Sequence, residues 1–248
     1  MTSSEEKRLR EAYIAFNREK RMREEEAQKK ARELPDRFDL PNLESEDSER
    51  VLRILRLVIA KQPIEQDDLV WLDTDGSIYW TKKLRYANHA NLASISTKDW
   101  LLTGDVWKAI DACSQWRKAQ CPETGLAVVE EALVKADKAI KPRSALLTTG
   151  GGALRDLGRR DDAVRFGKEA HSLKPKDYRP CTLLGAVSIE MGSYAKGAEW
   201  YKKAEALGAS RNLIDRELQS ILSAVSHEKR SQIKKALKAS NPSRYDQL

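Results

Sequence analysis

Apolar residues recur along this chain at helical spacing, and the runs they form are punctuated by glycine and proline. From about Ser48, the stretch VLRILRLVIAK places apolar side chains at 51, 52, 55, 58 and 59, which predicts a helix that ends before Pro63. A turn is expected at 73-DTDG-76, and beyond it Ile78, Trp80, Leu84 and Ala87 fit the face of another helix. The segment 69-LVWL-72 reads as helix, with a short strand as the alternative. Further on, breaks fall at Thr103-Gly104, Cys121-Pro122, Lys141-Pro142, Gly158, Lys174-Pro175, Gly192 and Gly208, leaving segments of roughly 13 to 17 residues. Helices this short and this even, joined by tight turns, predict a stack of antiparallel pairs.

The beginning of the chain is patterned differently. Residues 4–34 mix charges densely around a thin apolar stripe at Leu9, Tyr13 and Phe16, which predicts a largely solvated helix, docked in its first half and frayed in its second. Pro35 and Pro41 break it, and 35-PDRFDLPNLESEDSE-49 reads as a linker. Three regions follow: a charged helix and linker over 1–43, a helical region over 44–100, and a helical repeat domain with capping helices over 101–248.

Residues 144–177 align without a gap on residues 178–211 at a spacing of 34. Gly151 falls on Gly185, Gly158 on Gly192, and Ala170 on Ala204. Two helices of one hairpin approach closely only where side chains are small, so Gly151 or Gly185 is expected to face Ala163 or Gly197. Gly158 and Gly192 sit where the chain must reverse with positive φ, and Asp161 and Ser193 are expected to cap the helices that follow. Weaker copies of the pattern extend over about 87–142 and 211–240, the latter as a polar cap.

These units resemble the tetratricopeptide repeat, whose signature is W-x₂-L-G-x₂-Y, then A-x₃-F, then a closing proline. The first unit offers Leu147, Gly150, Gly151, Leu154, Ala163, Gly167 and Pro175, and the second offers Cys181, Leu184, Gly185, Ser188, Gly197 and Tyr201. The match is good in the small residues and loose in the large ones, and Ala209 stands where the second proline is expected. The resemblance implies an all-α fold, a right-handed α-solenoid of antiparallel helix pairs preceded by the charged helix and linker. It also implies that the first helix of each pair lines a concave groove that binds a peptide segment. Carried over by register, the groove residues are Thr148, Gly152 and Arg155 from one unit and Thr182, Ala186 and Ile189 from the next, with Arg179 beside them. The lysine and asparagine clamp by which some members hold a C-terminal carboxylate is missing at the matching positions.

Composition agrees with helices: 33% of the 248 residues are charged and only 6% aromatic. The formal net charge of +7 is unevenly spread. Residues 1–43 carry 11 basic and 10 acidic side chains, whereas 137–180 carry 11 against 6 and 211–248 carry 8 against 4. This excess raises nucleic acid as an alternative partner, through Arg159, Arg160, Arg165, Lys168, Lys234, Lys235 and Lys238. No secretory leader or spanning segment is legible, which leads us to expect a cytoplasmic protein that does not enter the membrane. The three cysteines, Cys113, Cys121 and Cys181, lack metal-ligand spacing and are expected to be reduced and buried.

The stretch 148-TTGGGALRDLGRRDDAV-164 concentrates glycine and arginine as a phosphate loop does. A P-loop, however, needs G-x-x-x-x-G-K-[ST] after a buried strand, and neither the lysine nor the strand is present. Inside a helix each of Gly150 and Gly152 costs about 0.8–1.0 kcal/mol against alanine, so a neighbouring backbone, a bound segment or a bend is expected there. No nucleophile elbow, histidine pair or paired catalytic carboxylate emerges, and no cofactor or metal is expected. The reading is therefore a non-catalytic protein that binds another protein or peptide. A nucleic-acid accessory subunit is the alternative, and an enzyme with a site in 48–100 a third class. The six tryptophans fall mostly on inferred apolar faces and are expected in the core, with an exposed anchor for a partner as the alternative reading.

Overall fold

The structure, a computed structural model, describes residues 13, 15–23, 33–43, 46–135 and 140–245, and among them all regular structure is helical. After helical stretches at 15–23 and 33–37 come α1 (Ser48–Ile59), α2 (Gln66–Asp73), a 3₁₀ turn (Ser77–Tyr79), α3 (Lys82–Thr103), α4 (Val106–Lys118) and α5 (Pro122–Lys135). They are followed by α6 (Ile140–Asp156), α7 (Arg160–Leu173), α8 (Tyr178–Glu190), α9 (Tyr194–Ala206), α10 (Arg211–Ser223), α11 (His227–Ser240) and α12 (Pro242–Tyr245). The chain forms two compact units, Met1–Asn91 and Leu92–Leu248, divided within α3.

In the first unit, α1 buries Val51, Ile54, Leu55 and Val58, the i, i+3, i+4, i+7 face of a helix. The segment expected to be a linker instead contributes to this core. Phe38 is buried against α1 and α3 residues, and its carbonyl accepts a 2.6 Å bond from the Thr81 hydroxyl. Residues 69–72 lie in helix α2. Ile78 is exposed rather than part of a helical face, because the 3₁₀ turn points Tyr79 into the core in its place. Tyr13 and Phe16 are also exposed, so the expected docking of the first half of the charged helix is not observed; Leu9 lies outside the described residues.

The second unit is a succession of adjacent helix pairs: α4 on α5, α6 on α7, α8 on α9. Each pair also meets the next, through α5 on α6 and α7 on α8, and the first helices touch in series as α4–α6, α6–α8 and α8–α10. Chain reversals at Gly158 (φ 73°) and Gly192 (φ 81°) use the left-handed conformation that glycine adopts without strain. Pro142 does not break a helix; it lies in the first turn of α6, where its missing N–H leaves no bond unmade. Nor does Asp161 cap α7: the cap position belongs to Arg159, and Asp161 sits in the first turn, where a carboxylate favours the helix dipole. Ser193 occupies the cap of α9 without a side-chain bond.

Small residues make these pairs possible. A Cβ on Gly197 of α9 would come within 2.9 Å of the Gly185 carbonyl oxygen of α8 and 2.5 Å of Ile189 Cγ1. A Cβ on Gly151 of α6 would meet Leu183 Cδ2 of α8 at 2.5 Å, with the Ala163 carbonyl of α7 at 3.6 Å. The expected facing of Gly185 with Gly197 and of Gly151 with Ala163 is thus present. Gly150 faces Val129 of α5 at 2.8 Å and Phe166 of α7 at 3.3 Å. Gly152 faces the Arg117 guanidinium of α4, which a Cβ would overlap.

These contacts differ in how easily they yield, and that difference is measurable. At Gly197 the obstacle is a neighbouring backbone, so Gly197→Ala must open the crossing and is expected to cost about 2 kcal/mol. At Gly152 the obstacle is the far end of a partly exposed arginine that can swing away, while alanine gains about 1 kcal/mol of helix propensity. Gly152→Ala is therefore expected to lie within about 1 kcal/mol of the parent. Urea unfolding of the two variants checks this order.

Candidate interaction surfaces

The residues expected to line a peptide groove are largely occupied by the protein itself. Ala186 and Ile189 are fully buried, and Gly152 is covered by Arg117, so these three are corrected from groove lining to internal packing. The half-buried Thr148 and Thr182 turn their hydroxyls onto the carbonyls of Ser144 and Arg179, both at 2.8 Å. Only Arg179 is exposed, lying over the ring of Tyr178 and 3.5 Å from Asp177.

Arg155 is the hub of this face. Its side chain keeps 17% of its surface exposed, and it bonds Glu190 of α8 at 2.7 Å and Glu217 of α10 at 2.6 Å. The Tyr201 hydroxyl of α9 donates to the other oxygen of Glu217 at 3.2 Å. Burial works against the Arg155 charge, yet the bonds from Glu190 and Glu217 outweigh it and hold the guanidinium pKa above its ordinary value. Burial, followed by the charge of Glu217, raises the Tyr201 hydroxyl well above its usual range. A second pair repeats the device one step earlier, where Arg117 of α4 bonds Asp156 of α6 at 2.6 Å. Asp156 and Glu190 are 34 residues apart, so the repeat positions a carboxylate for an arginine of the preceding pair.

The same pairing divides the basic residues expected to contact nucleic acid. Arg159 and Arg165 both bond Asp162, at 2.8 and 2.9 Å, and Arg160 lies 3.6 Å from Glu190. Among the described residues, no carboxylate pairs with Lys168, Lys234, Lys235 or Lys238.

A third surface is apolar. Trp100 at the end of α3 is 1% exposed, but Trp107 at the start of α4 is 47% exposed. Leu101, Leu102, Val134 and Ile140 are exposed as well. Antiparallel packing of α4, α5 and α6 gathers the end of α3, the start of α4, the end of α5 and the start of α6 at one end of the unit. Lys141 lies 5.7 Å from the Trp107 ring, and Lys135 lies 4.7 Å from that of Trp100. The sequence reading singled out Trp107 only among six tryptophans and missed the aliphatic residues. Their signal was the adjacent pair Leu101-Leu102, which follows Trp100 out of phase with its buried face.

His171 links neighbouring second helices, α7 and α9. The Lys203 ammonium donates to its Nε2 at 2.8 Å, its Nδ1 lies 3.6 Å from Cys181 Sγ, and its ring stands edge-on to Trp200 at 5.4 Å. Burial, then the Lys203 charge, lowers the His171 pKa. The thiols are free; burial pushes Cys113 up to about 12 and raises Cys181. Cys121 is half-buried, a correction to the expectation that all three would be buried. In the first unit, an open hollow of about 780 Å³ is lined by Glu33, Leu34, Asp36, Arg37, Arg56, Ile59 and Ala60, which pair no nucleophile with a base.

Two outcomes follow from these contacts. Arg155→Met leaves two carboxylates facing each other and is expected to destabilise the protein by about 2–3 kcal/mol, below the cost for a fully buried pair, as read by urea unfolding. His171 takes up a proton more readily when unfolded, where its pKa is 6.5, than when folded. Stability is thus complete above that pH and falls as pH drops below it. His171→Gln is expected to flatten this acid-side loss in unfolding curves taken from pH 8 to 5. Compared with what is known, no family model, no curated protein sequence and no solved structure matches the chain.

Proposed function

We propose that the second unit is a right-handed, tetratricopeptide-like α-solenoid, and that the protein is a non-catalytic scaffold binding a segment of another protein. The 34-residue match and the glycine contacts between paired helices support the architecture. The observation that carries the binding reading is the apolar end of the unit. There Trp107, Leu101, Leu102, Val134 and Ile140 remain exposed although buried positions exist on the same helices. Tryptophan is among the residues most often found as the energetic anchor of an interface. The groove face is a weaker candidate, since Arg117, Arg155 and their carboxylates already fill it. Unpaired thiols at Cys113, Cys121 and Cys181 favour a reducing compartment, in keeping with a cytoplasmic role.

Affinity capture with the purified chain at low salt is expected to recover a protein in stoichiometric amount. Trp107→Ala is expected to weaken that complex about 30-fold with little change in melting temperature, as truncation of an anchor does. Recovery of no such protein sinks the scaffold reading, and equal binding by Trp107→Ala and Leu102→Asp sinks the choice of surface.

A further inference from the structure

The arginines and lysines of the second unit are used differently. Arg117, Arg143, Arg155, Arg159, Arg160, Arg165 and Arg244 all lie within 4 Å of carboxylates inside the chain. On α5 the lysine is paired, Lys135 bonding Glu131 at 2.9 Å, but α7, α9 and α11 carry lysines that are not. Lys168 of α7, Lys196 and Lys202 of α9, and Lys235 of α11 are exposed. Lys234 and Lys238 of α11 are half-buried. Among the described residues none of the six has a carboxylate partner.

These helices form a layer. α9 packs on α11, and α7 reaches α9 through His171, Trp200 and Lys203. Lys168 and Lys202 stand 34 residues apart, at the same place in successive pairs. The exposed carboxylates on these helices are few: Asp161, Glu199 and Glu228. Asp162 and Glu169 on α7 and Glu205 on α9 are already bound to arginines. No large hydrophobic residue of α7, α9 or α11 is exposed.

We propose that this lysine-bearing layer of α7, α9 and α11 binds the phosphate backbone of a nucleic-acid duplex without reading its bases. Compact, hydrated ammonium groups on flexible stems suit phosphates whose positions vary. The absence of exposed large apolar side chains argues against a protein interface or insertion into lipid, each of which needs an apolar anchor. The phenylalanine, tyrosine and tryptophan rings of these helices are half-buried or buried, and the His227 imidazole at the start of α11 is the one exposed ring, too little to stack successive unpaired bases, so the duplex is favoured over a single strand. This surface is separate from the one around Trp107, and either can fail alone.

The test uses the full chain and a fluorescent 25-base-pair DNA duplex of arbitrary sequence, titrated by anisotropy from low to moderate salt. Expected is binding whose log K falls with log salt at a slope of about −4, one unit per phosphate neutralised. Changing Lys168, Lys202 and Lys235 together to Gln is expected to lower that slope by about 3 and to weaken binding at low salt at least tenfold. The paired Arg159→Gln and Arg165→Gln changes leave it within about twofold, as does Trp107→Ala. A flat salt response or an unchanged triple variant overturns the proposal. So does tighter binding to a single strand of equal length, or lysine-dependent binding to phosphatidylserine vesicles without binding to the duplex. Circular dichroism of the triple variant, all three sites being exposed, confirms that any loss is not unfolding.

Discussion

Between α8 and α9 the backbone itself is the contact surface, with the Gly185 carbonyl opposite the hydrogen of Gly197. That approach lets Ile189 and Tyr201 close over the crossing. The three glycines at 150–152 extend the same constraint around α6. Successive residues of a helix point about 100° apart. The triplet therefore presents bare backbone in three directions, to Val129 of α5, Leu183 of α8 and Arg117 of α4. At Gly150 and Gly151, enclosed by Val129 and Leu183, the cost of glycine in a helix interior is offset by contacts that larger residues would prevent.

The close helices also explain how charge is distributed. Where the first helices meet, only planar guanidinium groups with several donors can span two carboxylates from different helices, as Arg155 does between Glu190 and Glu217. Such a hub fixes the relation of α6, α8 and α10 more than it adds stability, because burying the charges costs much of what their attraction supplies. Arginines also pair with carboxylates of the second helices, Arg143 with Glu169 of α7 and Arg244 with Glu205 of α9. Lys168, Lys196, Lys202 and Lys235 on those helices instead stay exposed to water.

The architecture was legible because helix periodicity and glycine punctuation are local signals. Gly158 and Gly192 could be placed from sequence since a chain reversal of this kind needs positive φ. The facing of Gly185 with Gly197 was legible for a related reason, in that an exact 34-residue spacing places equivalent residues at equivalent crossings. Phe38 was not legible as core, because two prolines flank it and the buried residues of its cluster, from Val51 onward, lie more than ten residues away in sequence. The site was harder. Gly152, Ala186 and Ile189 share a register with groove residues, but register says nothing about whether a side chain from another pair already covers them.

The sequence by itself determined that this protein is helical, where most of its second-unit helices turn, and which small residues must meet. Those properties depend on neighbours along the chain or on a fixed repeat. Only the tertiary structure decided that the glycine-rich stretch is a packed centre rather than a groove floor. It also decided that the arginines beside that stretch are neutralised internally, and that Trp107 is exposed while Trp100 is buried. Each of these depends on which residue of a distant helix arrives within a few ångströms, and one-dimensional spacing does not encode that.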